Sequence, residues 1–313
     1  MKILIIKPSS FGDIVQAAPC ASALKEAYPG CCVEWVVFSQ WEKLLLLFSD
    51  IDGVISWDRK KGVRGFFSVL SRIRKTEYDL VIDLQGLLRS ALLAKFSKAK
   101  VKVGVPGMKE CGNIFIKEVY PKSAGLNATL RNLEPVRFIS GKTFEPEANV
   151  KIPKEAFSQA EKILAENDIR GNFVTLLPFA RGKGKTWSSG NYLKLIEIIS
   201  SKYPGLKIAI LGSAGDFGKI KSDKAVDLCG KTGIDSLAAI LSESKAAIGA
   251  DTGPMHLAAV LQTPSVFIFG DSDINETAPY LGRFLLLVNK ENPKDLNKIT
   301  PEEVLEALEQ WKK

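Results

Sequence analysis

The sequence is poorest in histidine: His256 is the only one in 313 residues. A metal centre built on several imidazoles is therefore excluded, as is a histidine pair working as acid and base. The five cysteines, Cys20, Cys31, Cys32, Cys111 and Cys229, are odd in number and include no C-x-x-C. Neither a disulfide framework nor a thiolate zinc site is indicated, and buried thiols in a reducing cytoplasm are expected. No apolar run approaches the roughly 18 residues that span a bilayer. The N-terminal run 3–6 is too short for a signal peptide, and Asp13 follows soon after. Glycine signatures are missing too. The first strand-to-helix turn lacks G-x-G-x-x-G, which disfavours a dinucleotide oxidoreductase, and no G-x-S-x-G elbow accompanies His256. Gly184-Lys185-Thr186 lacks the P-loop glycine five positions earlier, where Phe179 stands.

What is present fits a soluble globular protein: 46% hydrophobic and 25% charged residues. The length allows one large domain or two ordinary ones. The net charge of +8 is unevenly placed. Positions 59–109 hold thirteen lysines and arginines against Glu77, Asp79 and Asp83, a local charge of +10. Solvated helix faces are the bland explanation. The sharper one is a basic surface for an anionic partner, either phosphorylated lipid or membrane headgroups. Nucleic acid ranks last because no nucleic-acid motif accompanies the charge.

Strand and helix patterns alternate. Short continuous apolar runs predict buried parallel strands at 2–7, 33–38, 53–57, 80–84 and 101–105. Helices are predicted at 13–27, interrupted by Pro19, and at 63–75, 87–96 and 127–139. The polar stretch 140–149, with Gly141 and Pro146, reads as a linker. The pattern then restarts, with strands at 173–177, 207–211, 246–248 and 265–269. Helices are predicted at 154–167, 192–202, 234–242 and from 257. A final amphipathic helix over 300–313 opens with Thr300 as N-cap, Pro301 at N1 and Glu303 closing a capping box. Two consecutive α/β domains of Rossmann type, 1–145 and 146–313, are the economical fold.

Ligands of such sheets bind beyond the carboxyl ends of the strands. Four loops there carry the chemistry. In the first, 7–13, Asp13 reads either as a helix cap or as a general base. The second, 178–187, brings Arg181, Lys183 and Lys185 together, as a solvated loop or as an oxyanion contact. In the third, 212–216, Asp216 is an N-cap or a ribose acceptor, evenly weighed. The fourth is Gly249-Ala250-Asp251-Thr252-Gly253-Pro254-Met255-His256, a strand-to-helix junction suited to an anion. Asp50-x-Asp52 and Asp271-x-Asp273 read as turn chemistry rather than metal ligands.

These residues resemble glycosyltransferase family 9, the bacterial lipopolysaccharide heptosyltransferases, and most closely its heptosyltransferase I branch. The resemblance rests on residues 1–13, 78–90, Lys185-Thr186-Trp187, and 249–259 followed by Pro264. It implies a GT-B fold, two Rossmann-like domains facing across a cleft, with acceptor binding by the first and donor binding by the second. The last helix would pack back toward the first. It implies a metal- and cofactor-independent, inverting transfer of heptose from ADP-L-glycero-D-manno-heptose to Kdo-lipid A, with no obligatory protein partner. The enzyme would sit in the cytoplasm, peripherally on the inner membrane. Asp13 would be the base, and Lys185, Thr252 and Gly253 would steady the leaving diphosphate. Asp251 would contact heptose hydroxyls, and His256 would support the phosphate loop. Met255, Arg181 and Asp216 complete the donor side; Ser10, Gly12, Gln85, Arg89 and Arg131 form the acceptor side. Ala180 and Arg181 stand where family members often carry threonine, and Asn127 where a histidine is usual.

Overall fold

The computed structural model describes residues 1–119, 125–180, 184, 186–270 and 273–312, the side chains of Glu118 and Lys312 excepted. The chain divides into two compact units, Met1–Lys151 and Ile152–Lys313.

The first unit holds a six-stranded parallel sheet: β1 (Lys2–Ile6), β2 (Cys32–Phe38), β3 (Gly53–Trp57), β4 (Glu77–Asp83), β5 (Lys98–Gly104) and β6 (Lys117–Glu118). Its spatial order is β3-β2-β1-β4-β5-β6. The second unit repeats the winding with β7 (Phe173–Leu177), β8 (Lys207–Ile210), β9 (Val226–Asp227), β10 (Ala247–Ala250), β11 (Ser265–Phe269) and β12 (Phe284–Val288), in the order β12-β11-β10-β7-β8-β9. In each sheet the first strand is central, and the chain reverses direction across the sheet between the first and fourth strands. That places one topological switch point beside β1 and β4 and another beside β7 and β10. The central strands are buried on both faces: Ile3, Leu4, Ile5 and Ile6 are wholly covered, as are Leu176, Ile248, Val266 and Ile268. This is why they read as continuous apolar runs rather than alternating ones. Two parallel α/β sheets are the fold class the sequence predicts.

Several boundaries differ from the sequence reading. Pro19, which has no N–H to give, ends one helix and starts another, Phe11–Ala17 and Pro19–Ala27. β12 was not anticipated, although Phe284-Leu285-Leu286-Leu287-Val288 is a continuous apolar run; it is a half-buried edge strand on β11. The linker is tied to the first unit. Phe144 is buried, the Ser49 N–H donates to the Asn149 carbonyl at 2.9 Å, and the Lys151 N–H donates to that of Leu47 at 2.7 Å. The unit boundary therefore falls at 151/152 rather than 145/146.

The last helix, Pro301–Glu309, is capped as its sequence dictates: the Thr300 N–H donates to Glu303 at 2.6 Å and the Glu303 N–H to the Thr300 hydroxyl at 3.2 Å. It packs on the helix Ser189–Lys202 and on β11 and β12. The Trp187 indole N–H, at 2.9 Å from the Ile299 carbonyl, anchors its start. All five cysteines are unbridged, but Cys32 is half-buried and Cys111 exposed, so the expectation of buried thiols fails at both; Cys111 lies in a surface turn with left-handed backbone.

Candidate active-site residues

In the first unit, the loops after β1 and β4 meet at the switch point. Register pairs Ile6 with Asp83, so the two strands end together. Past Ile6 the chain turns into the helix Phe11–Ala17. Asp13, half-buried in its first turn, accepts from both the N–H and the hydroxyl of Ser10, each at 2.8 Å. Asp13 is thus a cap, as the bland reading held, and the same bonds fix its carboxylate at the strand mouth. Ser10 is exposed and Gly12 half-buried beside it.

Beyond β4 the chain folds tightly. Gly86, at φ +68°, takes a left-handed conformation that a side chain would strain. The turn aims the N–H groups of Gln85 and Gly86 at Asp83, 2.9 and 3.1 Å away, and the Ser90 hydroxyl adds a third donor at 2.8 Å. Gln85 in turn accepts from the Ser9 N–H at 3.3 Å, linking the two loops. Arg89 is exposed and, with Gln85, Ser9, Phe38 and Trp57, lines a small cavity. Arg131 lies one turn into the helix Ala128–Ser140, whose N-cap is Asn127, accepting from the Thr129 N–H at 2.9 Å.

Two charged residues that sequence reasoning passed over sit in this cluster. Asp83 is wholly buried, and burial pushes its carboxyl up to about 6 against the opposing pull of its three hydrogen bonds and of Lys7. Lys7 is 8% exposed; its ammonium donates to the Leu84 carbonyl at 2.9 Å, and burial pulls its pKa below the usual lysine value. Each follows or ends an apolar run, Ile3–Ile6 and Leu80–Ile82, and only the pairing of β1 with β4 brings the two charges together.

In the second unit, β7 and β10 end side by side, with Gly249 opposite Leu177. A Cβ on Gly249 would lie 2.4 Å from the Leu177 carbonyl oxygen, so only glycine allows β10 to approach β7 this closely. The chain then passes Asp251 and Thr252 into the helix Gly253–Val260, with Pro254 in its first turn. His256, 5% exposed, brings Nε2 to 3.1 Å from Asp251 Oδ1 and sets its ring edge-on to Phe267, 5.6 Å between centroids. The Thr252 hydroxyl is buried with no hydrogen-bond partner among the described residues. The N–H groups of a helix's first turn have no partner within the helix, and beside a buried hydroxyl they have the chemistry to receive an oxyanion. Met255, in the first turn of this helix, is fully buried.

The loop after β7 and the residues after β8 enclose a cavity of about 380 Å³ lined by Phe179, Ala180, Trp187, Tyr192, Asp216 and Lys219. Asp216 accepts from the Ser213 N–H at 3.0 Å and pairs with Lys219 at 2.6 Å. Partial burial works against its charge, but the Lys219 and Ser213 bonds outweigh it and hold its carboxyl below the usual range. Asp216 is therefore both a cap and a cavity wall. Arg181, Lys183 and Lys185 lie outside the described residues. Asp50 and Asp52, read as turn residues, tie distant segments together instead: Asp50 accepts from Ser22 and Asn149, and Asp52 from Lys25 and the Val33 N–H.

A profile of glycosyltransferase family 9 (heptosyltransferase) matches residues 66–305. Among characterised proteins, the chain is 27% identical over 312 residues to lipopolysaccharide heptosyltransferase 1 of Campylobacter coli, covering 93% of this chain and 88% of that one. It is 23% identical over 278 residues to lipopolysaccharide heptosyltransferase 3 of Escherichia coli, covering 84% and 80%. Among solved structures, Escherichia coli ADP-heptose lipopolysaccharide heptosyltransferase II superposes with a TM-score of 0.84 at 22% identity, covering 99% and 98% of the chains. An Escherichia coli heptosyltransferase bound to ADP-2-deoxy-2-fluoro heptose superposes at 0.79 and 20% identity, covering 99% of each.

Proposed function

This chain belongs to glycosyltransferase family 9, the heptosyltransferases, and we propose that within it the protein transfers L-glycero-D-manno-heptose from the ADP-sugar to Kdo-lipid A. The second unit holds the donor. The observation that carries this reading is the orphaned Thr252 hydroxyl at the N-terminus of Gly253–Val260, next to an Asp251 held by His256. Charge grows on the diphosphate as the glycosidic bond breaks. Donors already fixed in place stabilise that charge without reorganising, and such electrostatic support is usually the largest catalytic contribution. Lys185 adds a cation to the same oxygens. Asp251 receives the heptose hydroxyls, and Asp216 the ribose.

The first unit supplies the acceptor hydroxyl and its base. Asp13 takes the hydroxyl proton as the oxygen attacks the anomeric carbon from the face opposite ADP, inverting the centre. Ser10, Gln85, Arg89 and Arg131 surround the acceptor. No helix among the described residues is long and apolar enough to cross a membrane, and the acceptor is a lipid, so the enzyme works at the cytoplasmic membrane surface. The helix Gly62–Ile73 suits that place: it buries Val69, Leu70 and Ile73 but exposes Val63 and Phe67 beside Arg64 and Arg74. An exposed apolar pair on a segment with exposed arginines is the composition of an interfacial helix.

Similarity to both type 1 and type 3 relatives keeps a second reading open, transfer to a later core heptose. The test is a panel of ADP-, UDP- and GDP-sugars with Kdo-lipid A and heptosylated acceptors, read by mass spectrometry. A single heptose added to Kdo-lipid A is the expected product. A heptose added only to an already heptosylated acceptor replaces the acceptor; a sugar other than heptose overturns the donor.

A further inference from the structure

The chain that leads from β1 to Asp13 is stitched to the first two residues after β4. The Ile6 carbonyl accepts from the N–H groups of Leu84 and Gln85, at 3.1 and 3.2 Å. The Lys7 ammonium donates to the Leu84 carbonyl at 2.9 Å, and the Ser9 N–H donates to Gln85 Oε1 at 3.3 Å. The next residue, Ser10, gives both its N–H and its hydroxyl to Asp13, each at 2.8 Å. The place of the Asp13 carboxylate therefore depends on residues 84 and 85 as well as on its own helix.

Asp83 sets those two residues. Its Oδ1 accepts from the N–H groups of Gln85 and Gly86, at 2.9 and 3.1 Å, and its Oδ2 from the Ser90 hydroxyl at 2.8 Å. Two successive N–H groups converge on one oxygen where Gly86 takes its left-handed turn, and the Gly86 carbonyl accepts from the Lys109 N–H at 2.7 Å. Without the Asp83 oxygen, the N–H of the buried Gly86 loses this acceptor, a loss that reshapes a turn. Asp83 itself is wholly buried, so it touches no substrate. A carboxylate in a core is costly unless its bonds do what an apolar residue cannot. Here they join the turn after β4 to the loop after β1.

We propose that Asp83 is a positioning residue for the transfer: its carboxylate fixes the turn after β4, and that turn, through Leu84 and Gln85, fixes the loop that aims Asp13 at the acceptor hydroxyl. The route needs an oxygen that accepts hydrogen bonds, not a titrating group. A misplacement of about 1 Å at the reacting groups costs about 10²-fold in rate, even when the substitution lies far from the chemistry. The inference rests on Asp13 being the base.

The experiment is a set of double-mutant cycles in kcat, with ADP-heptose and a water-soluble Kdo acceptor both saturating. Asp83→Val removes both acceptor oxygens at nearly constant volume. Asp83→Asn keeps one oxygen for the turn, and Gln85→Leu cuts the link to Ser9. Circular dichroism and thermal unfolding check each fold; Ser90→Ala, which removes one donor from the same carboxylate, replaces Asp83→Val if that variant does not fold. Asp83→Val is expected to lower kcat by roughly ten- to a hundredfold, with donor KM unchanged within about twofold. Asp83→Asn stays within about threefold of the wild type. In Asp13→Asn or Gln85→Leu backgrounds, Asp83→Val adds less than about twofold, because residues that act as one unit are not additive. The same factor in all three backgrounds makes Asp83 merely structural and overturns the proposal. A loss in Asp83→Asn as large as in Asp83→Val also overturns it, as does wild-type kcat in a folded Asp83→Val. Wild-type turnover in Asp13→Asn refutes the base itself, an outcome separate from additive losses in an otherwise Asp13-dependent enzyme.

Discussion

His256 Nε2 lies 3.1 Å from Asp251 Oδ1, with 6% and 8% of the two side chains exposed. The imidazole is wedged between this carboxylate and Phe267, so its work is to hold Asp251 in one orientation at the strand end. His256→Ala leaves a buried carboxylate short of a partner and opens a cavity. It is expected to destabilise the second unit by about 1–3 kcal/mol and to raise KM for the ADP-sugar more than it lowers kcat. His256→Gln, which keeps a donor, recovers most of the affinity. Calorimetry with the donor decides: unchanged affinity in His256→Ala removes the support role.

One substitution separates the cap that Asp13 forms with Ser10 from the base we propose it to be. Asp13→Asn keeps an oxygen for the Ser10 N–H but cannot take a proton. Turnover should fall by about 10²- to 10⁴-fold, while donor affinity stays the same and stability drops by no more than about 1–2 kcal/mol, the scale of a weakened cap. Steady-state rates beside urea unfolding give both numbers. A stability loss with near-normal turnover leaves Asp13 as a cap alone.

Asp83 gives the stability a definite pH signature. Its folded value of about 6 lies above its ordinary 3.8, so between these values the folded state holds the proton that the unfolded state has lost. Stability from this group is complete below pH 3.8 and declines as pH rises through 6, by roughly 3 kcal/mol in total. Asp52, Asp216 and Asp227 are shifted downward and titrate below this window. Urea midpoints measured from pH 4 to 7 should fall for the wild type. Asp83→Asn should lose most of that slope, leaving the part from Glu243, which burial also raises; an equal slope in the variant assigns the effect elsewhere.

Phe67 and Val63, at 60% and 72% exposure, make the membrane reading testable without turnover. Flotation with phosphatidylglycerol-containing vesicles should recover the protein, and pure phosphatidylcholine should not. Phe67→Ser with Val63→Ser should weaken binding severalfold at any salt, and Arg64→Gln by about fivefold at low salt, the scale of one charge at an anionic surface. Binding untouched by all three substitutions moves the contact off this helix.

Strand existence was legible from composition because β1, β7, β10 and β11 are buried on both faces, which forces continuous apolar runs. The edge strands were harder to read. β6 and β9 span two residues each, and β12 is half-buried, so covering constrains their sequences weakly. The junction at 249–256 stood out for the same local reason: a glycine demanded by strand contact, a proline in the first helical turn and a lone histidine lie within eight residues. Lys7 and Asp83 were missed because their meaning is non-local. Each is an unremarkable charge in sequence, and only the pairing of β1 with β4 shows them buried together.

The sequence by itself determined the two alternating α/β patterns, the capped last helix and the loops that follow the central strands, since propensity, capping and burial act over a few residues. Tertiary structure alone decided the strand order that places 7–13 beside 83–90 and 249–256 beside the loop after β7. It also joined His256 to Asp251 and buried Lys7 and Asp83 where β1 and β4 end together. Those outcomes depend on which segments become neighbours and on how much water is removed from a charge, and neither quantity is written in any single stretch of chain.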